Sequence, residues 1–163
     1  NYMKKVILLG LLPVFISSNS IEPLEVCYEE TTIELKRKDI QPITTDRELL
    51  NALIFVESRG NDSAIGDKHL VGNEAVGALQ IRPIMVREVN RICKIIGSHQ
   101  HFALKDRFDR NKSIHMFMIW KDYHHKNNSN EIIARNWNGG PRGYKKDRTV
   151  KYWNKIEKQL NNE

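Results

Sequence analysis

Glu57 is the residue of this sequence whose type and setting best suit acid–base chemistry. It follows Ile54, Leu53, Leu50 and Leu49 by three, four, seven and eight residues, spacings that share one face of an α-helix. A carboxylate therefore closes a stripe that should face a core, at the helix's C-terminal end. Partial burial penalises the charged form, and the negative end of the helix dipole acts in the same direction. A carboxyl group still protonated near neutral pH can hand its proton to a glycosidic oxygen. The competing reading is structural: Glu57 turns to the helix edge, meeting solvent or pairing with Arg59.

Other reactive side chains are fewer. Asp67 and Glu74 lie in the polar stretch that follows. Either could serve as the second carboxylate that an inverting glycosidase uses to activate water, or both are simply solvated. His99-x-His101 and His124-His125 are the nearest approach to metal-ligand spacing, and neither comes with a third ligand; they, His69 and His115 are read as surface histidines. No glycine loop for phosphates, no Ser–His–Asp order and no nucleophilic cysteine pattern is present. No metal and no cofactor is implied.

The elements that must position Glu57 read as helices. Thr45 or Asp46 can cap a helix carrying Leu49, Leu50, Leu53, Ile54 and Val56, with Gly60-Asn61 as its stop. Residues 61–81 read as a long polar loop. Pro83 suits the first turn of a second helix running to about Ile96. Asp109 or Asn111 can cap a third, with Ile114, Met116, Phe117, Met118, Ile119, Trp120 and Tyr123 on so many faces that it should be central. A short helix over 130–136 should break at Gly139-Gly140-Pro141. A last one, Thr149 to Leu160, carries Val150, Trp153, Ile156 and Leu160 as its stripe. The expectation is one mainly α domain over 45–163.

Upstream, Met3-Lys4-Lys5, the apolar run Val6–Ile16 and Ser17-Ser18-Asn19-Ser20 follow the order of a secretory signal, so residues 1–20 are set apart from the fold. That run is too short to cross a bilayer, which takes about 20 apolar residues. Residues 21–44 read as an extended arm, with a short strand at Ile33 and Leu35, or as a linker. Cys27 and Cys93 could pair in an oxidising compartment, but one bridge in a chain of this size is optional. The formal net charge is +6, or +4 without residues 1–20, which hold Lys4, Lys5 and no acid. Lysines and arginines are scattered, with short clusters such as Lys145-Lys146-Asp147-Arg148. Nucleic-acid binding is therefore not expected, and the charge reads as a preference for an anionic surface.

Three segments, in order, resemble the lytic transglycosylases whose catalytic domain is of the soluble-transglycosylase type, within the lysozyme-like superfamily. They are Glu57-Ser58 closing an apolar helix, Gly77-Ala78-Leu79-Gln80-Ile81-Arg82-Pro83, and Trp137-Asn138-Gly139-Gly140-Pro141. The family's counterparts are Glu-Ser, Gly-Leu-Met-Gln-Ile-x-Pro and Tyr-Asn-Ala-Gly-Pro, and the likeness spans roughly residues 46–160. It implies a lysozyme-like fold with a groove between the Glu57 helix end, the Gly77–Pro83 loop and the Trp137–Pro141 turn. It implies cleavage of the bond between N-acetylmuramic acid and N-acetylglucosamine in peptidoglycan, closing a 1,6-anhydro ring. Glu57 then matches the single catalytic acid and base. Gln80 matches a glutamine that lines the sugar groove, or else braces its loop. Gly77 allows close approach to the sugar chain or makes the turn. Ser58 bonds near Glu57 and substrate, or to its own helix. Asn138 matches an asparagine that holds the loop beside the acid. The family's tyrosine, whose hydroxyl reaches the catalytic carboxyl, aligns with Trp137, which cannot replace that hydroxyl. Tyr144 could supply it, or pack in the loop.

Two rivals stand beside this reading: a hydrolytic muramidase using Asp67 or Glu74, and an inactive wall-binding module, against which intact Glu57, Gln80 and Asn138 argue. The partner in each case is peptidoglycan outside the cytoplasmic membrane, periplasmic or extracellular.

Overall fold

A computed structural model describes residues 46–161, all within one compact unit. The expectations for residues 1–20, for 21–44, for Thr45 as a cap and for Cys27 lie outside the described residues.

The protein is mainly α. Helix α1 spans Asp46–Ser58, α2 Pro83–Ile95, α3 Arg110–His124, α4 Asn130–Gly139 and α5 Val150–Leu160. Three 3-10 turns, Leu104–Phe108, Gly143–Lys145 and Asp147–Thr149, join them. Local chemistry explains several boundaries. Pro83 opens α2, where its missing N–H costs nothing. Asp109 caps α3 by accepting from the Lys112 backbone N–H at 3.0 Å, and Ser129 accepts from Ile132 at the start of α4. At the end of α1, Arg59 and Gly60 both turn left-handed, with φ of 54° and 79°, and donate back to Phe55 and Ile54.

The polar stretch over 61–81 holds more order than its composition announces. β1 (Ile65–Gly66) and β2 (Ala75–Val76) pair antiparallel, with Ile65 opposite Val76. Arg107, almost buried, donates to the Glu74 and Ile81 carbonyls at 3.0 and 3.1 Å and so ties this hairpin to the turn before α3. α4 also runs three residues past Asn136, to Gly139.

The core gathers one face from every helix: Leu53, Ile92, Met116, Phe117, Ala134 and Ile156 are fully buried or nearly so. Burying such side chains stabilises the fold by about 1.5–3 kcal/mol each. Helix α3 sends Met116, Phe117 and Trp120 into the core, but Tyr123 is exposed, so the expected burial of its apolar residues holds only in part. The helix packs against α2, Lys121 bonds Asp46 of α1 at 2.5 Å, and Phe117 and Trp120 each lie 5.1 Å from the Trp137 ring of α4. The stripe read on α5 needs one correction. Ile156 is buried and Trp153 and Leu160 pack on the core, but Val150 is exposed, since the chain enters α5 from a 3-10 turn and its first residue faces outward. Among the described residues no helix is long and apolar enough to cross a membrane.

Candidate functional site

The inner stripe of α1 leads straight to the site. Leu49, Leu50, Leu53 and Ile54 are buried, and Glu57 continues their face into a spot walled by α5, which packs along α1. Glu57 is half-buried there and does not pair with Arg59, whose guanidinium instead lies over the Phe55 ring. Tyr152 of α5 donates its hydroxyl to Glu57 Oε1 at 2.7 Å. Burial pushes the Glu57 pKa up from 4.5 to about 7, the Tyr152 hydrogen bond pulls down, and the negative charge of Asp67 adds to the rise. Burial also drives the Tyr152 hydroxyl well above its ordinary range, so it stays a donor at neutral pH. The outcome is a carboxyl group that holds and releases a proton near neutrality, with one oxygen fixed by a phenol.

The other sequence-derived candidates fall into two groups. The first lies around the hairpin, to which Ser58 ties the end of α1. Ser58 donates to the Ala78 carbonyl at 2.8 Å and to Ile54 of its own helix at 3.3 Å, clamping the end of α1 onto the hairpin. Gln80 adopts a left-handed backbone with φ 48° and spends its amide hydrogens on the Gly77 and Ala64 carbonyls, at 2.9 and 3.3 Å. Gln80 is thus a loop brace. Gly77 is required by the chain itself: with φ 78°, an added Cβ would sit 1.9 Å from the Arg107 carbonyl oxygen. The close approach there is to backbone. Asp67 pairs with Arg82 at the hairpin's edge, while Glu74 caps the Gly72 N–H at 3.0 Å; that bond and its own backbone N–H lower its pKa.

The second group lies around the end of α4. Trp137 is half-buried, with its ring edge-on to Phe117 and Trp120. Asn138 is exposed on the outer side of α4. The loop-holding role expected of it belongs to buried Asn136, whose Oδ1 accepts from the Tyr144 N–H at 3.0 Å. The register explains the difference: a helix that continues to Gly139 turns residue 136 inward and residue 138 outward. Tyr144 is exposed, with Lys145 above its ring, and it does not supply the hydroxyl beside Glu57.

Tyr152 is the residue that sequence reasoning missed. It stands four residues before Ile156, on the inward side of α5, and a phenol among core positions on a helix facing a core carboxylate was the available signal. Among the described residues no group of three or more His, Cys, Asp or Glu side chains is placed to hold a metal ion. An open hollow of about 350 Å³ between α2 and α3, lined by Ile92, Ile96, Met118 and Tyr123 among others, contains none of the candidate residues.

No protein-family model matches this chain, and no curated protein matches its sequence.

Proposed function

We propose that this chain is an exported peptidoglycan-cleaving enzyme of the lytic-transglycosylase type, with Glu57 as its general acid and base. The observation that carries the reading is the Glu57 carboxyl, poised at about 7 and fixed through Oε1 by Tyr152. In the protonated form it gives its proton to the oxygen between N-acetylmuramic acid and N-acetylglucosamine. As a carboxylate it then draws the proton from the muramyl 6-hydroxyl, which attacks the anomeric carbon and closes the 1,6-anhydro ring. Water is not consumed. A pKa near 7 suits a group that must act in both directions. Tyr152 takes over the part that the resemblance gives to the tyrosine aligned with Trp137: it holds one carboxyl oxygen so that the other can face the sugar.

One observation favours a hydrolytic second reading. The charge of Asp67 is felt at Glu57, which is where an inverting glycosidase would keep its second carboxylate. Its pairing with Arg82 counts against that, because the base must be free to take a proton from water.

Mass spectrometry of muropeptides released from purified peptidoglycan separates the readings. Products one water lighter than hydrolytic ones, absent with Glu57→Gln, are expected. Products with a free reducing end would replace the proposal with a muramidase. No release at all would leave only a wall-binding module.

A further inference from the structure

The positive charge of this protein is not spread evenly. Residues 142–158 contain seven Lys or Arg and two acids, so five of the chain's six net charges lie in 17 residues. Six of the seven, Arg142, Lys145, Arg148, Lys151, Lys155 and Lys158, are exposed and recur every three or four residues through the 3-10 turns and along α5. On α5 that interval brings Lys151, Lys155 and Lys158 to one side of the helix, a cation every ~4.5–6 Å. The seventh, Lys146, is spent on the Gly139 carbonyl.

Several cations elsewhere in the domain are paired with an acid. Arg82 pairs with Asp67, Arg91 with Glu88, Arg110 with Asp62 and Arg135 with Glu131. Arg142, Arg148, Lys151, Lys155 and Lys158 form no ion pair with any described residue. A row of like charges left unneutralised repels itself and strengthens the binding of a multivalent anion.

We propose that this ridge is a binding surface for an anionic wall polymer, a linear chain bearing repeated phosphate or carboxylate groups; as a wall partner, it rests on the function proposed above. The ridge runs along the outer side of the same helix that presents Tyr152 to Glu57. A membrane fits less well, because α5 turns Ile156, Trp153 and Leu160 inward and leaves only Val150 as an exposed apolar side chain beside the lysines. A nucleic acid fits less well because Tyr144 is the one exposed ring along the ridge, and Lys145 covers it.

The test is co-sedimentation of the full chain with purified, insoluble wall, an assay that reads binding and not cleavage. The triple variants Lys151→Glu/Lys155→Glu/Lys158→Glu and the corresponding Gln set, checked for native circular dichroism, are expected to bind at least about tenfold more weakly at low salt, the reversal more so, with the gap closing as salt rises. Hydrofluoric acid strips phosphodiester polymers from the wall: loss of binding then assigns the phosphates, and retention assigns the carboxylates of the wall's peptides. Equal sedimentation of native and reversed proteins overturns the proposal, as does tighter binding to DNA or to anionic lipid vesicles. Ridge-dependent binding without any released muropeptide would keep the ridge and sink the enzymatic reading instead.

Discussion

The Tyr152 hydroxyl meets Glu57 Oε1 at 2.7 Å across 95 residues of sequence. The contact joins α1 to α5 and sets two opposing effects on one carboxyl. Burial favours the protonated form and the phenol's hydrogen bond favours the ionised one; burial wins, and the group settles near pH 7. A hydrogen bond to a charged group contributes about 1.5–3 kcal/mol, enough to orient the carboxyl but not to reverse the cost of burying it.

Glu57→Gln should abolish wall lysis and keep the fold. Its stability should also change with pH in a defined direction. The native state holds a proton on Glu57 that the unfolded chain releases near 4.5, so that contribution is intact below 4.5 and is lost as pH rises through about 7. The variant is then expected to gain up to roughly 3 kcal/mol over the parent at pH 8 and nothing at pH 4. Chemical denaturation at the two pH values measures this; a variant less stable than the parent at pH 8 would contradict the burial of the charge.

Tyr152→Phe removes the interaction that lowers the Glu57 pKa. The alkaline limb of the activity profile, where the acid is lost, should move up by roughly one pH unit. Turnover on the plateau should fall with KM little changed, because orientation is lost while the binding contacts stay. A limb that stays in place, or moves down, would mean that the hydrogen bond is not felt at the acid.

Asp67→Asn tests the neighbouring charge. Since Asp67 raises the Glu57 pKa, its removal should shift the same limb toward acid, by less than the Tyr152 change, and leave the anhydro products in place. If Asp67 instead activates water, this variant loses product release altogether. The pH profile and the product masses, taken together, decide between the two.

Gly77→Ala should destabilise by more than about 2 kcal/mol, since the residue has φ 78° and its new methyl would meet the Arg107 carbonyl oxygen at 1.9 Å. A thermal melt within a degree of the parent would show that the hairpin can shift away from the turn at little cost.

The five helices were legible because apolar spacing and caps point the same way: the stripe before Glu57, Pro83 opening α2, Asp109 capping α3. The β1–β2 hairpin was not, since strands of two residues are too short for any alternation to stand out from a polar loop. The catalytic candidate was legible as a carboxylate on an apolar face. Its partner was not, because Tyr152 lies on the far side of the molecule's sequence and its hydroxyl becomes informative only once α5 is known to lie against α1. Asn138 was chosen because it matches the motif of the family, and the inward turn of Asn136 shows only once α4 is known to run to Gly139. The basic ridge was hidden for a related reason, as residues spaced by three and four look scattered until the turns of the backbone align them.

The pairing of α1 with α5 also governs when the carboxyl becomes usable. Every nascent chain that stops short of α5 lacks both the phenol and the helix that shields Glu57 from water. In such a chain the carboxyl titrates like an ordinary glutamate and is ionised at neutral pH, unable to donate. The raised pKa of Glu57 therefore arises only when synthesis has passed residue 152 and α5 has closed on α1.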